Sequence, residues 1–224
     1  MNKVNGFLYG LLSSASFGLI PLFTIPAMQA GMHFESILFY RFMFACMALG
    51  GILLIDGQSF RISRRDIPSL LLLALLYLMS AVFLFWGYKF MASGVATTIH
   101  FMYPLAVALA MMFFFREKKS LLVILAVLMS LLGAALLSLG ELEAKSGNTM
   151  VGLVAACVSV FSYAGYIVGV RTTRAVQINS TALTCYVMGL GTIFYLIGAY
   201  CTSGLQLVSD GYTWLIILGL ALPA

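Results

Sequence analysis

The sequence predicts an all-α polytopic membrane protein, and three observations carry that prediction. Of the 224 residues, 62% are hydrophobic and 8% are charged, where a soluble domain is roughly half apolar and a quarter charged. The mean hydropathy is +1.07. The apolar residues fall into runs of about 20, the length that crosses a hydrocarbon core. No soluble core of 224 residues hides that much apolar surface. The solvent is therefore lipid, where a helix satisfies its own backbone hydrogen bonds.

Seven runs are long enough to span: 6–29, 35–55, 68–91, 94–115, 120–139, 149–170 and 181–201. The first is not a cleavable leader. It continues to Gln29 without an Ala-x-Ala site, and further spans follow at once. An eighth run begins near Trp214 and reaches Ala224. That gives about 16 Å of helix against a core of about 30 Å. The expectation is a fragment, or the product of a truncated gene.

The short connections set the orientation. With the N-terminus inside, the cytoplasmic segments hold Lys3, Arg61, Arg64, Arg65, Arg116, Lys118, Lys119, Arg171 and Arg174. The outer segments hold only Lys89 and Lys145 among basic residues, with Glu35, Glu141, Glu143 and Asp210. Positive residues collect on the cytoplasmic side of membrane proteins. A multi-pass protein of the cell (inner) membrane with a cytoplasmic N-terminus follows. The net charge of +5 forms no basic stripe, so no nucleic-acid partner is expected. The expected partners are the lipid bilayer, a small-molecule substrate and a second copy of the chain in a homodimer.

The four cysteines, Cys46, Cys157, Cys185 and Cys201, form no CxxC pair and read as apolar packing residues. His33 lies in an outer loop and is the sole histidine besides His100, so no metal site is expected. GxSxG, HExxH and P-loop motifs are absent, as are paired intramembrane carboxylates. The sequence therefore predicts neither an enzyme nor a cofactor, and transport would run on a gradient or by exchange.

The first span aligns with the sixth at an offset of 146, placing Gly6, Ser13 and Ser16 on Gly152, Ser159 and Ser162, and Phe17 on Tyr163. The next spans align at an offset of 145, with Arg41 opposite Tyr186. A unit of five spans is odd, so its repeat enters the membrane inverted. Inverted repeats are typical of secondary transporters, whose substrate sites lie near the midplane.

Polar residues within the spans are the candidate site. Arg41 lies inside the second span, where a central charge costs about 2.5–3.5 kcal/mol. No acidic residue occupies a span at comparable depth. It can meet a carboxylate or phosphate in a wet cavity, or snorkel to the outer interface. His100 shares a helix face with Thr97, Tyr103 and Pro104. It can bind substrate, relay a proton or hydrogen-bond a neighbouring helix. Pro104 should kink its helix. Ser159, Ser162, Tyr163 and Tyr166 follow the i, i+3, i+4, i+7 pattern of one face. Tyr9, Ser13, Ser16 and Phe17 form an overlapping face on the first span. The two faces can line a path or simply pack. Trp86 and Tyr88 are further aromatic candidates, and Trp214 reads as an interface anchor. Gly6-x-x-x-Gly10 and the series Ser130, Ala134, Ser138 permit close helix contact.

One stretch carries a family resemblance. Residues 87–104 read Gly-Tyr-Lys-Phe-Met-Ala-Ser-Gly-Val-Ala-Thr-Thr-Ile-His-Phe-Met-Tyr-Pro, and Phe115-Arg116-Glu117-Lys118-Lys119 closes the span that follows. This order resembles the EamA-like family of the drug/metabolite transporter superfamily. There, a helix ending in a Lys/aromatic pair turns through small residues into a helix with a mid-membrane Pro, which exits at a Glu.

The resemblance implies two inverted five-helix units, here 1–140 and an incomplete 147–224. It implies a permease for a small metabolite, an amino acid or related compound, working by alternating access. It matches Arg41 to a family Arg-Phe, gives Pro104 the role of opening space beside a central cavity, and matches Glu117 to the family Glu. At the cytoplasmic boundary, Glu117 reads as a structural ion pair or cap. Arg41 and His100 would contact polar substrate groups, with Tyr163 and Trp86 as apolar walls. The alternative is a non-transporting membrane protein, either an assembly partner or an inactive truncated relative.

Overall fold

The computed structural model describes residues 8, 16, 19–58, 60–115, 121–122, 124–126, 128–129, 132–133, 136, 148–202, 204–208 and 211–221. Parts of the first and fifth expected spans lie outside the described residues, as do Phe17, Glu117 and both small-residue series. The described elements are helical: α1 Ile20–Gln29, α2 Phe34–Ile55, α3 Ile67–Phe90, α4 Ser93–His100, α5 Tyr103–Phe114, α6 Thr149–Thr172, a 3-10 turn Arg174–Gln177, α7 Ser180–Thr202 and α8 Gly211–Ala221. There is no strand among the described residues. Five described helices are long and apolar enough to cross a membrane: Phe34–Ile55, Ile67–Phe90, Ser93–Phe114, Thr149–Thr172 and Ser180–Thr202. They fall on the second, third, fourth, sixth and seventh apolar runs. The chain is an all-α, multi-pass membrane protein.

Local chemistry sets the helix ends. α2 carries Glu35 in its first turn, where a negative charge meets the positive end of the helix dipole. It stops at Gly57, which takes φ +61, while the Gln58 N–H donates to the Leu53 carbonyl at 3.0 Å. That left-handed cap suits glycine because it lacks Cβ. Pro68 stands in the first turn of α3, where a missing N–H costs nothing. The fourth span is divided between α4 and α5 at Phe101–Met102. Pro104 has no N–H to give the His100 carbonyl. The Leu105 N–H donates to Met102 instead, at 3.0 Å.

By contact the chain forms two compact units, one from residues 1–61 and 179–224, the other from 62–178. This grouping differs from a division along the sequence near 140–147. α6 lies beyond that division and packs on α3, which lies before it; α7 packs on α2 in the same way.

In the unit of residues 62–178, α3 and α6 run antiparallel along a seam of small residues. A Cβ on Gly87 would stand 3.6 Å from the Gly152 carbonyl oxygen, and one on Gly152 would meet Phe90 Cβ at 3.1 Å and Met91 Cγ at 3.2 Å. Further along, a Cβ on Gly169 would lie 2.6 Å from Leu73 Cδ2. Lipid gives no hydrophobic drive for helix association, so close packing of this kind holds the pair. α4 and α5 pack against α6.

In the other unit, α2 and α7 are also antiparallel. Phe42 packs on Tyr195 near one end of the pair, with ring centroids at 4.9 Å, and the Asn179 amide donates to Gln58 near the other. Trp214 of α8 stacks edge-on to Tyr40 and Phe44 of α2 at 5.7 and 6.0 Å. Gln206 ties the segment before α8 to the start of α2. Its backbone N–H donates to Ser36 Oγ at 3.1 Å, and its carbonyl accepts from the Tyr40 hydroxyl at 3.1 Å.

The α3–α6 seam generates a stability prediction. Gly152→Val places methyl groups against Phe90 and Met91 close to their backbones, where they cannot swing aside. Overpacking of this kind costs about 1–3 kcal/mol. Thermal unfolding in detergent should show a lower midpoint for Gly152→Val, and an unchanged midpoint would contradict the close seam.

Candidate functional site

In the unit of residues 62–178, polar and aromatic side chains converge on His100, at the C-terminal end of α4. The break before Pro104 places His100 and Tyr103 on either side of an irregular turn, both against α6. His100 is 2% exposed, Ser159 of α6 is 0% and Ser80 of α3 is 2%. Their hydrogen bonds connect three elements. Ser159 Oγ lies 2.8 Å from His100 Nδ1 and donates to the Ser80 carbonyl at 2.8 Å. Ser80 Oγ donates to the Ser159 carbonyl at 3.1 Å.

These contacts constrain the histidine. A serine hydroxyl has one proton. If Ser159 gives its proton to the Ser80 carbonyl, the 2.8 Å contact to His100 requires a proton on Nδ1. In the neutral ring of that tautomer, Nε2 carries the lone pair. The donor and acceptor roles in this contact follow the tautomer of the ring.

Tyrosine rings surround the imidazole. Tyr163 lies 5.4 Å from it and Tyr103 lies 5.8 Å. Tyr103 meets Tyr163 edge-on at 4.5 Å. Tyr77 of α3 extends the cluster, 5.1 Å from Tyr166 and 5.8 Å from Tyr163. Such pairs contribute about 0.5–1.5 kcal/mol each beyond burial. Beside the cluster, the Tyr88 hydroxyl and Thr97 Oγ1 of α4 are hydrogen-bonded at 3.0 Å. An apolar groove of about 560 Å³ between α5 and α6 runs alongside, lined by Leu105, Leu109, Phe113, Val160 and Ala164 among others.

The structure thus brings together His100, Tyr103, Tyr163 and Tyr166 of the residues singled out by sequence. Ser159, read as part of the α6 face, is the direct partner of His100. Ser162 is half-buried at the edge of that face. Trp86 stands apart from the cluster: it is 41% exposed and touches Phe83 and Phe90 on its own helix. Pro104 is exposed at the start of α5. Ser80 and Tyr77 were not foreseen. Their signal was a hydroxyl three residues after a tyrosine inside a leucine-rich run, both on the face that continues to Tyr88.

Arg41 belongs to the other compact unit. It is 4% exposed within α2, and among the described residues it forms no salt bridge. Ser16 of the first span is helical and half-buried.

Comparison with known proteins follows from this geometry. A family model described as the EamA-like transporter family matches residues 4–139. Curated proteins give no match. A solved structure described as "Crystal structure of protein" is similar, with a TM-score of 0.76 and 17% identity, over 99% of this chain and 76% of that one. At that identity the likeness shows the fold alone.

The serine contacts separate two neighbouring hydroxyls by experiment. Ser159→Ala removes the hydroxyl that donates to the Ser80 carbonyl and contacts His100 Nδ1, a loss of about 1–3 kcal/mol for buried polar groups. Ser162→Ala should change stability by less than about 0.5 kcal/mol. Thermal unfolding of both variants in the same detergent checks the contrast, and equal midpoints would contradict it.

Proposed function

Since the chain belongs to the EamA-like transporter family, we propose that this drug/metabolite-type membrane transporter carries a small metabolite, an amino acid or related compound, by alternating access. The observation that carries the reading is the buried His100 cluster. A histidine held by Ser159, which is itself tied to Ser80, and walled by tyrosines is costly to keep at membrane depth unless it is used. In this reading His100 contacts a polar substrate group, and Tyr103 and Tyr163 supply an apolar wall. In the other unit, Arg41 is a separate candidate to take an anionic group such as a carboxylate, which suits a buried guanidinium.

The proposed orientation places the N-terminus in the cytoplasm and the protein in the inner membrane. Arg64 and Arg65 precede α3, and Arg171 and Arg174 follow the end of α6. Because α3 and α6 are antiparallel, these four charges lie at one end of their unit. That distribution supports assigning that end to the cytoplasm.

Flux of labelled amino acids into proteoliposomes tests the proposal. Uptake by the wild-type protein should exceed that of empty vesicles. Arg41→Ala and His100→Ala should each lower it at least tenfold, with membrane insertion unchanged. Undiminished uptake by well-inserted variants would remove both residues from the substrate path. Wild-type uptake equal to that of empty vesicles across the panel would favour a non-transporting membrane protein.

A further inference from the structure

We propose that Cys46 and Cys185 form an oxidisable dithiol pair, a modification site at which a disulfide staples α2 to α7. Their sulfurs lie 3.9 Å apart, in van der Waals contact. Each thiol also points at the other residue's backbone. Cys46 Sγ is 3.5 Å from the Cys185 carbonyl oxygen, and Cys185 Sγ is 3.7 Å from that of Cys46. Reciprocal contact of this kind needs two helices in close approach, and glycine permits it. A Cβ on Gly189 would stand 3.4 Å from Cys46 Sγ, and one on Gly50 would stand 3.9 Å from Cys185 Sγ. The two cysteines are 139 residues apart, so the bond would join distant parts of the chain. Cys157 and Cys201 are exposed thiols and provide an internal comparison.

The surroundings favour a disulfide over a metal. No group of three or more His, Cys, Asp or Glu gathers among the described residues, so a tetrahedral site lacks ligands. A disulfide is neutral, and a neutral product suits an apolar interior. Both residues lie inside helices that span the membrane, at a depth suited to a lipid-soluble oxidant. The oxidant class is a quinone. Two S–H bonds break and one S–S bond forms. The two electrons and two protons pass to the quinone, which leaves as the hydroquinone. A small dithiol reductant reverses the step by exchange. The pair does not depend on the transport reading.

The test uses the native sequence in lipid vesicles. A fully substituted, lipid-soluble benzoquinone is added in rising dose until Cys157 or Cys201 shows oxidation. Remaining thiols are alkylated in denaturant, and the digested chain is mapped by mass spectrometry. The expected result is a Cys46 peptide linked to a Cys185 peptide within monomeric protein, released by dithiothreitol. Recovery of both residues alkylated, or linked to another cysteine or a second copy, would overturn the proposal.

Discussion

At membrane depth a polar side chain has no water to turn to, and the contact between Ser80 and Ser159 is how this chain meets that constraint. Each hydroxyl donates to the other residue's backbone carbonyl. Two helices are thereby joined by groups that would otherwise oppose burial. The small-residue seam between Gly87 and Gly152 brings the backbones close enough for such short side chains to reach. Ser159 Oγ then has a lone pair left for His100. The histidine's position thus rests on a packing contact between two other helices.

The same dependence explains what the sequence made legible. Helices were readable because run length against bilayer thickness is a one-dimensional property. The turn before Pro104 was readable because a missing N–H acts on the residues next to it. One face of the site was readable too: Ser159, Tyr163 and Tyr166 recur at helical spacing, and all three join the cluster. Ser80 and Tyr77 were harder. Which residue of α3 lies opposite Ser159 depends on how two helices slide past one another, and side-chain spacing along either helix does not encode that. Trp86 illustrates the converse, since a large aromatic residue in a span signals importance without saying which face it occupies.

Two buried features have different chemical characters. The His100 cluster is hydrogen-bonded across three helices, so it can hold a definite geometry. Arg41 is a charge almost fully withdrawn from the surface, and among the described residues it has no acidic partner. A cation in that position is expensive until an anion arrives.

Imidazole nitrogen chemical shifts of the histidine-labelled protein in bilayers, with and without the transported compound, test a substrate role for the His100 cluster most directly. The chain has two histidines, His33 and His100, so His33 serves as the reference. Substrate contact at His100 predicts that its imidazole nitrogen shifts change when the compound is present, with His33 unchanged. Identical His100 shifts in both states, at saturating compound, would contradict a substrate role for the cluster and leave it as a structural tie.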